Sequence, residues 1–183
     1  MAASAGLAPG WLRGARRVPS PNCDARPSGA PARLLVLHAI SLPRGVYQGD
    51  AIERLFTNRL DPAAHAAFRS LEGLKVSSHF LIRRSGALLQ FVPLGARAWH
   101  AGASGWRGRG RCNDFSVGVE LEGTDDSAFE DAQYARLAAL VRSLQAALPL
   151  RAVAAHSDIA PGRKTDPGAG FDWLRWLRAL ARG

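Results

Sequence analysis

Two short apolar runs, each ending in a histidine, limit the fold of this chain more than any other feature. Arg33-Leu34-Leu35-Val36-Leu37-His38 is continuously apolar and bounded by Pro31 and Pro43. It lacks the alternation of a strand that faces water on one side, so both of its faces must be covered. That predicts a central strand in a sheet with other elements packed above and below. Arg151-Ala152-Val153-Ala154-Ala155-His156 reads as a second strand. Ligands of α/β sheets gather where strands end, which makes both histidines site candidates.

The loop after the second run is dense in ionisable groups. From His156 to Gly168 it holds a histidine, the carboxylates Asp158 and Asp166, and Lys164, set between proline and glycine. Loops of this composition are more often sites than linkers. An imidazole and a carboxylate can supply two of the three protein ligands of a catalytic zinc, leaving a fourth position for water. His38 is the natural candidate for the missing ligand, Asp158 competes with Asp166, and a nearby lysine can neutralise an oxyanion.

Phe115-Ser116-Val117-Gly118-Val119-Glu120-Leu121-Glu122 alternates with period two. Its apolar residues share one face, and Gly118, Glu120 and Glu122 share the other. A carboxylate in mid-strand must be exposed, paired or functional, because unpaired burial costs several kcal/mol. Glu120 is therefore a candidate general base, and Gly118 leaves room beside it for another group to approach.

The remaining chain sets the architecture. Five prolines within residues 1–32 predict an extended N-terminal arm without regular structure, packed on a domain spanning 33–183. Asp50 is placed to cap a short helix through Phe56, and Asp61-Pro62 to start another through Leu71, with His65 as a surface or packing residue. Residues 78–83 and 87–92 predict a hairpin across Arg84-Ser85-Gly86. From Trp99 to Arg111 no periodicity is present, which predicts a long loop whose Arg107, Arg109 and Arg111 suit phosphate or carboxylate. Ser127 to Leu148 predicts the longest helix, and Phe171 to Leu180 an apolar C-terminal helix with Arg175, Arg178 and Arg182 toward water. Together these predict an α/β (α+β) single domain: a central mixed β-sheet flanked by helices.

Composition narrows the partners. The 24 Lys+Arg against 15 Asp+Glu give a net charge of +9, which favours anionic partners of any kind. Cys23 and Cys112 lack the spacing of a disulfide framework or a cysteine zinc module and suit a reducing compartment. No apolar run long enough for a secretory signal or a membrane span occurs, so a cytoplasmic location without stable membrane association is expected. No P-loop, GxGxxG or internal repeat is present, and no nucleic-acid motif, so nucleic acid is not expected as a partner.

Several motifs, in order, carry a resemblance over almost the whole chain. They are residues 10–21, His38-Ala39-Ile40-Ser41-Leu42-Pro43, Val76 to Ile82, Arg97-Ala98-Trp99-His100-Ala101-Gly102, Arg111-Cys112-Asn113-Asp114-Phe115-Ser116, and the loop from His156 to Gly168. Together they resemble the zinc-dependent N-acetylmuramoyl-L-alanine amidases, and within them the cytoplasmic type that acts on 1,6-anhydro-N-acetylmuramyl ends. The resemblance implies a fold like that of peptidoglycan amidases and recognition proteins, with residues 33–183 as the catalytic domain. It also implies one zinc ion bound by His38, His156 and Asp166, with Glu120 activating the water and Lys164 stabilising the tetrahedral intermediate. Arg111 matches a substrate-contacting arginine. Lys75 stands where relatives carry arginine, which turns a bidentate contact into a point charge. Ala39 replaces an asparagine frequent after the first ligand.

The implied substrate is an anhydromuramyl peptide, whose carboxylates suit the positive charge, and a monomer is expected. Two neighbouring readings are an exported wall-remodelling amidase and a non-catalytic peptidoglycan binder. The first is disfavoured by the missing signal and the second by the complete ligand set.

Overall fold

The run after Pro31 forms a strand covered on both faces: Leu34, Leu35, Val36 and Leu37 are all at most 1% exposed. The computed structural model describes residues 10–27 and 31–182. In chain order its strands are β1 (Arg16–Arg17), β2 (Cys23–Ala25), β3 (Leu34–Ile40), β4 (Phe80–Ile82), β5 (Leu88–Gln90), β6 (Ala96–Ala98), β7 (Gly105–Trp106), β8 (Arg109–Gly110), β9 (Ser116–Glu122) and β10 (Ala152–Ala155). Its α-helices are α1 (Ala51–Phe56), α2 (Asp131–Ala147), α3 (His156–Ile159) and α4 (Trp173–Ala181).

Six strands form one mixed sheet in the order β1-β5-β4-β9-β3-β10. Strand β3 lies between β9 and β10 and is parallel to both, while β4 is parallel to β9 and antiparallel to β5. The register sets His38 opposite Glu120. Ala155 lies opposite Leu37, so His156 leaves its strand beside His38. All three residues therefore come to one end of three parallel strands.

Period-two alternation divides the core and leaves a place for the site. Leu35, Leu37, Val117, Val119 and Leu121 face α2, whose Leu137, Val141 and Leu144 cover them, with Trp176 of α4 completing the layer. On the opposite face two separate clusters form. Leu81 and Leu89 pack with Ile52, Leu55 and Phe56 of α1, whereas Leu34 and Val36 pack with Ala101 and Ile159. Gly118, Glu120 and His38 share that second face. Each fully buried Leu or Val contributes about 1.5–3 kcal/mol, so the strands that carry the site are also the ones held most firmly.

Several expectations need correction. The arm is not without regular structure: β1 adds to the sheet edge beside β5, and β2 pairs antiparallel with β6. Edge strands need hydrogen bonds on one side only, and Pro19, Pro21 and Pro27 fall outside the paired residues. Residues 1–9 and 28–30 of the predicted arm lie outside the described residues. The helix expected from Asp61 shrinks to a 3-10 turn, Ala66–Leu71. Two side chains there take helix-starting amides: Asp61 Oδ1 accepts from the Ala63 amide at 2.9 Å, and His65 Nδ1 from that of Ala67 at 3.1 Å. His65 is thus a surface cap. Asp50 precedes α1 but its carboxylate accepts from Arg54 Nε at 2.7 Å and caps nothing.

The stretch from Trp99 to Arg111 is not all loop. β7 and β8 pair antiparallel across Arg107 and Gly108, both at positive φ (49° and 78°), as a two-residue hairpin turn requires. Helix α2 begins at Asp131 and not near Ser127, because Glu130 and Gln133 form a reciprocal capping box. Ser127 instead accepts from the Thr124 amide at 3.2 Å. In α4 only part of the apolar stripe is covered: Trp176 is buried, while Leu174 and Leu177 are 65% and 48% exposed. Both cysteines are free thiols, as expected.

Candidate metal centre

Three potential ligand atoms converge where β3 and β10 end. His38 Nδ1 lies 2.9 Å from His156 Nδ1 and 3.2 Å from Asp166 Oδ2, and His156 Nδ1 lies 3.0 Å from the same oxygen. Strand β3 delivers His38, the start of α3 delivers His156, and the following loop folds Asp166 back onto both. The Ser157 amide donates to the Asp166 carbonyl at 3.0 Å, and Thr165 Oγ1 donates to Asp125 Oδ2 at 2.7 Å. Gly168 permits this closure. Its φ is +79°, and a Cβ there would meet the Asp125 carbonyl oxygen at 2.0 Å, so no side chain fits.

The competing carboxylate is used elsewhere. Asp158 Oδ2 accepts from the Ala155 amide at 2.8 Å, which starts α3 and turns Asp158 away from the cluster. Among the described residues, His38, His156 and Asp166 are the one group of three or more such side chains able to hold a metal ion.

The donor chemistry of this cluster suits a zinc ion. The Ala101 carbonyl can only accept, so the contact of His156 Nε2 at 3.3 Å puts the imidazole proton on Nε2. The Nδ1 lone pair of His156 then faces the Asp166 carboxylate. On the other ring, His38 Nε2 lies 2.9 Å from His100 Nδ1, and His100 Nε2 lies 3.1 Å from Ser116 Oγ. A proton on each Nε2 satisfies that chain and leaves the His38 Nδ1 lone pair on the cluster as well. Burial supports a neutral His38 ring: it pulls the His38 pKa down to about 4 against the opposing pull of Asp166. Two nitrogen lone pairs and a carboxylate oxygen turned toward one another repel unless a cation lies between them. Two imidazoles and a carboxylate are an established donor set for catalytic zinc.

Glu120 and Lys164 border the cluster. Both line a cavity of about 240 Å³ together with His38, His100, His156 and Asp166. Glu120 is 8% exposed, and burial, with Asp166 adding to it, holds its carboxyl pKa well above the ordinary carboxylate range while Lys164 pulls the other way. The alternative of an exposed polar face is excluded: β9 is buried along its whole length. Glu122, on the same face, accepts from Arg83 Nη1 at 2.7 Å and from the Gln48 and Arg84 amides at 3.0 Å each.

The positively charged candidates separate. Lys75 lines a neighbouring pocket that shares Leu55 and Leu74 with the main cavity. Arg111 is exposed, adopts φ +61° and pairs with Asp114 at 3.3 Å, and it does not line the cavity. Arg107 and Arg109 lie over the rings of Trp106 and Phe115. Ala39 lines the cavity wall.

Sequence reasoning passed over His100, assigning it only to a loop. It sits half-buried between His38, His79 and Ser116, and the desolvation of its ring, with the neighbouring histidines, holds its pKa far down. The open space beside Glu120 belongs to this ring: a Cβ on Gly118 would sit 2.6 Å from His100 Cγ. A glycine in mid-strand next to a candidate base was the signal available.

A family model described as N-acetylmuramoyl-L-alanine amidase matches residues 28–169. The chain is 55% identical over 172 residues to the 1,6-anhydro-N-acetylmuramyl-L-alanine amidase AmpD of Escherichia coli K12, covering 93% of this chain and 94% of that one. The crystal structure of a selenomethionine AmpD derivative superposes with a TM-score of 0.93 at 52% identity, over 95% of this chain and 98% of that chain. The E. coli amidase AmiD, solved in complex with the substrate anhydro-N-acetylmuramic acid-L-Ala-D-gamma-Glu-L-Lys, matches with a TM-score of 0.60 at 31% identity. That match covers 84% of this chain and 59% of AmiD.

Proposed function

The chain belongs to the N-acetylmuramoyl-L-alanine amidase family, and from that footing we propose that it works through one zinc ion held by His38, His156 and Asp166. It is an amide hydrolase for the bond between the lactyl group of 1,6-anhydro-N-acetylmuramic acid and the L-alanine of a stem peptide. The observation that carries the zinc assignment is the triangle of lone-pair atoms at 2.9–3.2 Å, open to a cavity that the Glu120 carboxylate also lines.

When bound there, zinc supplies Lewis acidity. The rest of the reaction falls to side chains. Glu120, whose burial strengthens its hold on a proton, takes one from the attacking water and passes it to the departing alanine nitrogen. Lys164, on the cavity wall, sets its ammonium against the negative charge that develops on the carbonyl oxygen. Lys75 and Arg111 are assigned to carboxylates of the stem peptide, and the net charge of +9 draws such a polyanion to the surface. The AmiD complex supports this substrate class.

No helix among the described residues is long and apolar enough to cross a membrane. We assign the enzyme to peptidoglycan recycling in the cytoplasm, as a monomer, which cell fractionation and sedimentation test. The deciding experiment pairs metal analysis of freshly purified protein with an assay on an anhydromuropeptide. The expected result is a zinc-to-protein ratio near one and release of a peptide beginning with L-alanine, abolished by chelation and restored by zinc. A ratio near zero, or a metal bound through Asp158, would sink the ligand assignment.

A further inference from the structure

We propose that the adjacent residues His100 and Ala101, held in place by Asn113, form one backstop that orients both metal-binding histidines, which makes Asn113 a positioning residue of the centre. The proposal rests on the zinc reading above and adds to it a residue outside the ligand group that does not line the cavity.

His38 and His156 are 118 residues apart in sequence, yet their outward nitrogens find partners on neighbouring residues of one loop. His38 Nε2 meets His100 Nδ1 at 2.9 Å, and His156 Nε2 meets the Ala101 carbonyl at 3.3 Å. Those partners decide which nitrogen of each ring keeps its proton, and so which one turns a lone pair inward. A shift of this loop would misaim both ligands together. Arg163, from the ligand loop, donates to the same Ala101 carbonyl at 2.9 Å, which ties the backstop to the segment that carries Asp166.

His100 and Ala101 belong to no strand or helix, so their amides must be satisfied some other way. Asn113 does this with a single atom. Its Oδ1 accepts from the His100 amide at 3.1 Å and from the Ala101 amide at 2.8 Å. Asn113 is anchored in turn. Arg26, 9% exposed, donates to the carbonyls of Asn113, Asp114 and Ser116 at 3.1, 3.3 and 2.8 Å. An asparagine bridging two amides is a common turn device. Here the bridged amides belong to the two residues that touch the ligands, and this links the turn to the metal.

The test is zinc affinity of the full chain, measured by competition with a chelator, together with the visible spectrum of the cobalt(II)-loaded protein. Removing an outer partner of a metal ligand costs about 10–100-fold in affinity, so Asn113→Ala is expected to fall in that range with an altered cobalt spectrum. Asn113→Asp keeps an oxygen acceptor at the same position and should stay near wild type. Equal affinities for Asn113→Ala and wild type with the same spectrum would overturn the proposal, as would equal weakening by Ala and Asp. If Asn113→Ala fails to fold, His100 decides. His100→Leu should weaken zinc binding while His100→Asn, whose amide oxygen falls near the position of Nδ1, should restore much of it; no difference between the two overturns the proposal. A wild-type chain that binds no zinc would instead overturn the metal reading itself, an outcome visible before any variant is made.

Discussion

Glu120 and Glu122 stand on the same face of β9, both buried, and their surroundings differ in every other respect. Glu122 is held by Arg83 and by two backbone amides, and Arg83 also binds Glu53 at 2.8 Å. That end of the strand is an ionic network in which both Glu122 oxygens are satisfied. Glu120, one rung earlier, faces the ligand cluster with no such partner among the described residues, and burial raises its proton affinity. The lesson is that burial alone does not mark a site. A buried charge with a full set of partners serves the fold, and a buried carboxylate left without them, beside a cavity, is available for chemistry.

The most severe challenge to this contrast is Glu120→Gln. It should retain zinc and fold while kcat falls by about 10²–10⁴, the usual contribution of a general acid-base group. Near-normal turnover in Glu120→Gln, with loss in Glu122→Gln, would reverse the two assignments. Lys164→Ala comes next. A kcat loss of roughly 10² with a smaller change in KM and no loss of metal is expected of a group that meets charge only in the transition state. A loss confined to KM would move Lys164 from the reaction to substrate binding.

Glu122→Gln should show the opposite signature. It leaves Arg83 short of a partner in a buried setting, so unfolding free energy should drop by about 3 kcal/mol while kcat per folded molecule hardly changes. Chemical denaturation alongside the assay separates the two effects. The smallest effect concerns pH in chelator-treated protein. The folded-state pKa of Glu120 is raised above its unfolded value, so the native chain binds the proton more tightly. Stability from this group is then present below the unfolded pKa of about 4.5 and is lost as pH rises toward the folded pKa, with a slope of up to about 1.4 kcal/mol per pH unit. Denaturation series above pH 4.5 should show this slope in wild type and its absence in Glu120→Gln. Identical slopes would mean that Glu120 is less isolated than its burial implies.

Much of this site was legible in the residues themselves. The apolar run before His38 marked a buried strand, because a run without alternation has nowhere to go but a covered sheet, and the run before His156 marked a second strand, which lies half-buried at the sheet edge. The alternation around Glu120 put it on the face opposite Val117, Val119 and Leu121, which the core confirms. Less legible were elements whose stability is borrowed. β1 and β2 exist because β5 and β6 offer them free edges. The helix expected from Asp61 gave way to side-chain hydrogen bonds at Asp61 and His65. Leu174 and Leu177 carry the periodicity of a buried stripe, but the neighbours of α4 cover only part of it.

The sequence by itself determined which residue types were present for the chemistry and which strands would carry them to the sheet's end. Local patterning is a property of neighbouring residues, and it survives without knowledge of the fold. The residues alone left Asp158 open against the Asp166 that the resemblance implied. Only the tertiary structure brings Asp166 and not Asp158 to the histidines, leaves Glu120 without a hydrogen-bond partner among the described residues while Glu122 is locked, and sets His100, Ala101 and Asn113 behind the cluster. Each of these choices turns on a partner distant in sequence: Arg83 for Glu122, His38 for His100, the Ala101 carbonyl for His156. Hydrogen bonds and ion pairs act over about 3 Å, and which groups come that close is settled only when the strands take their order in the sheet.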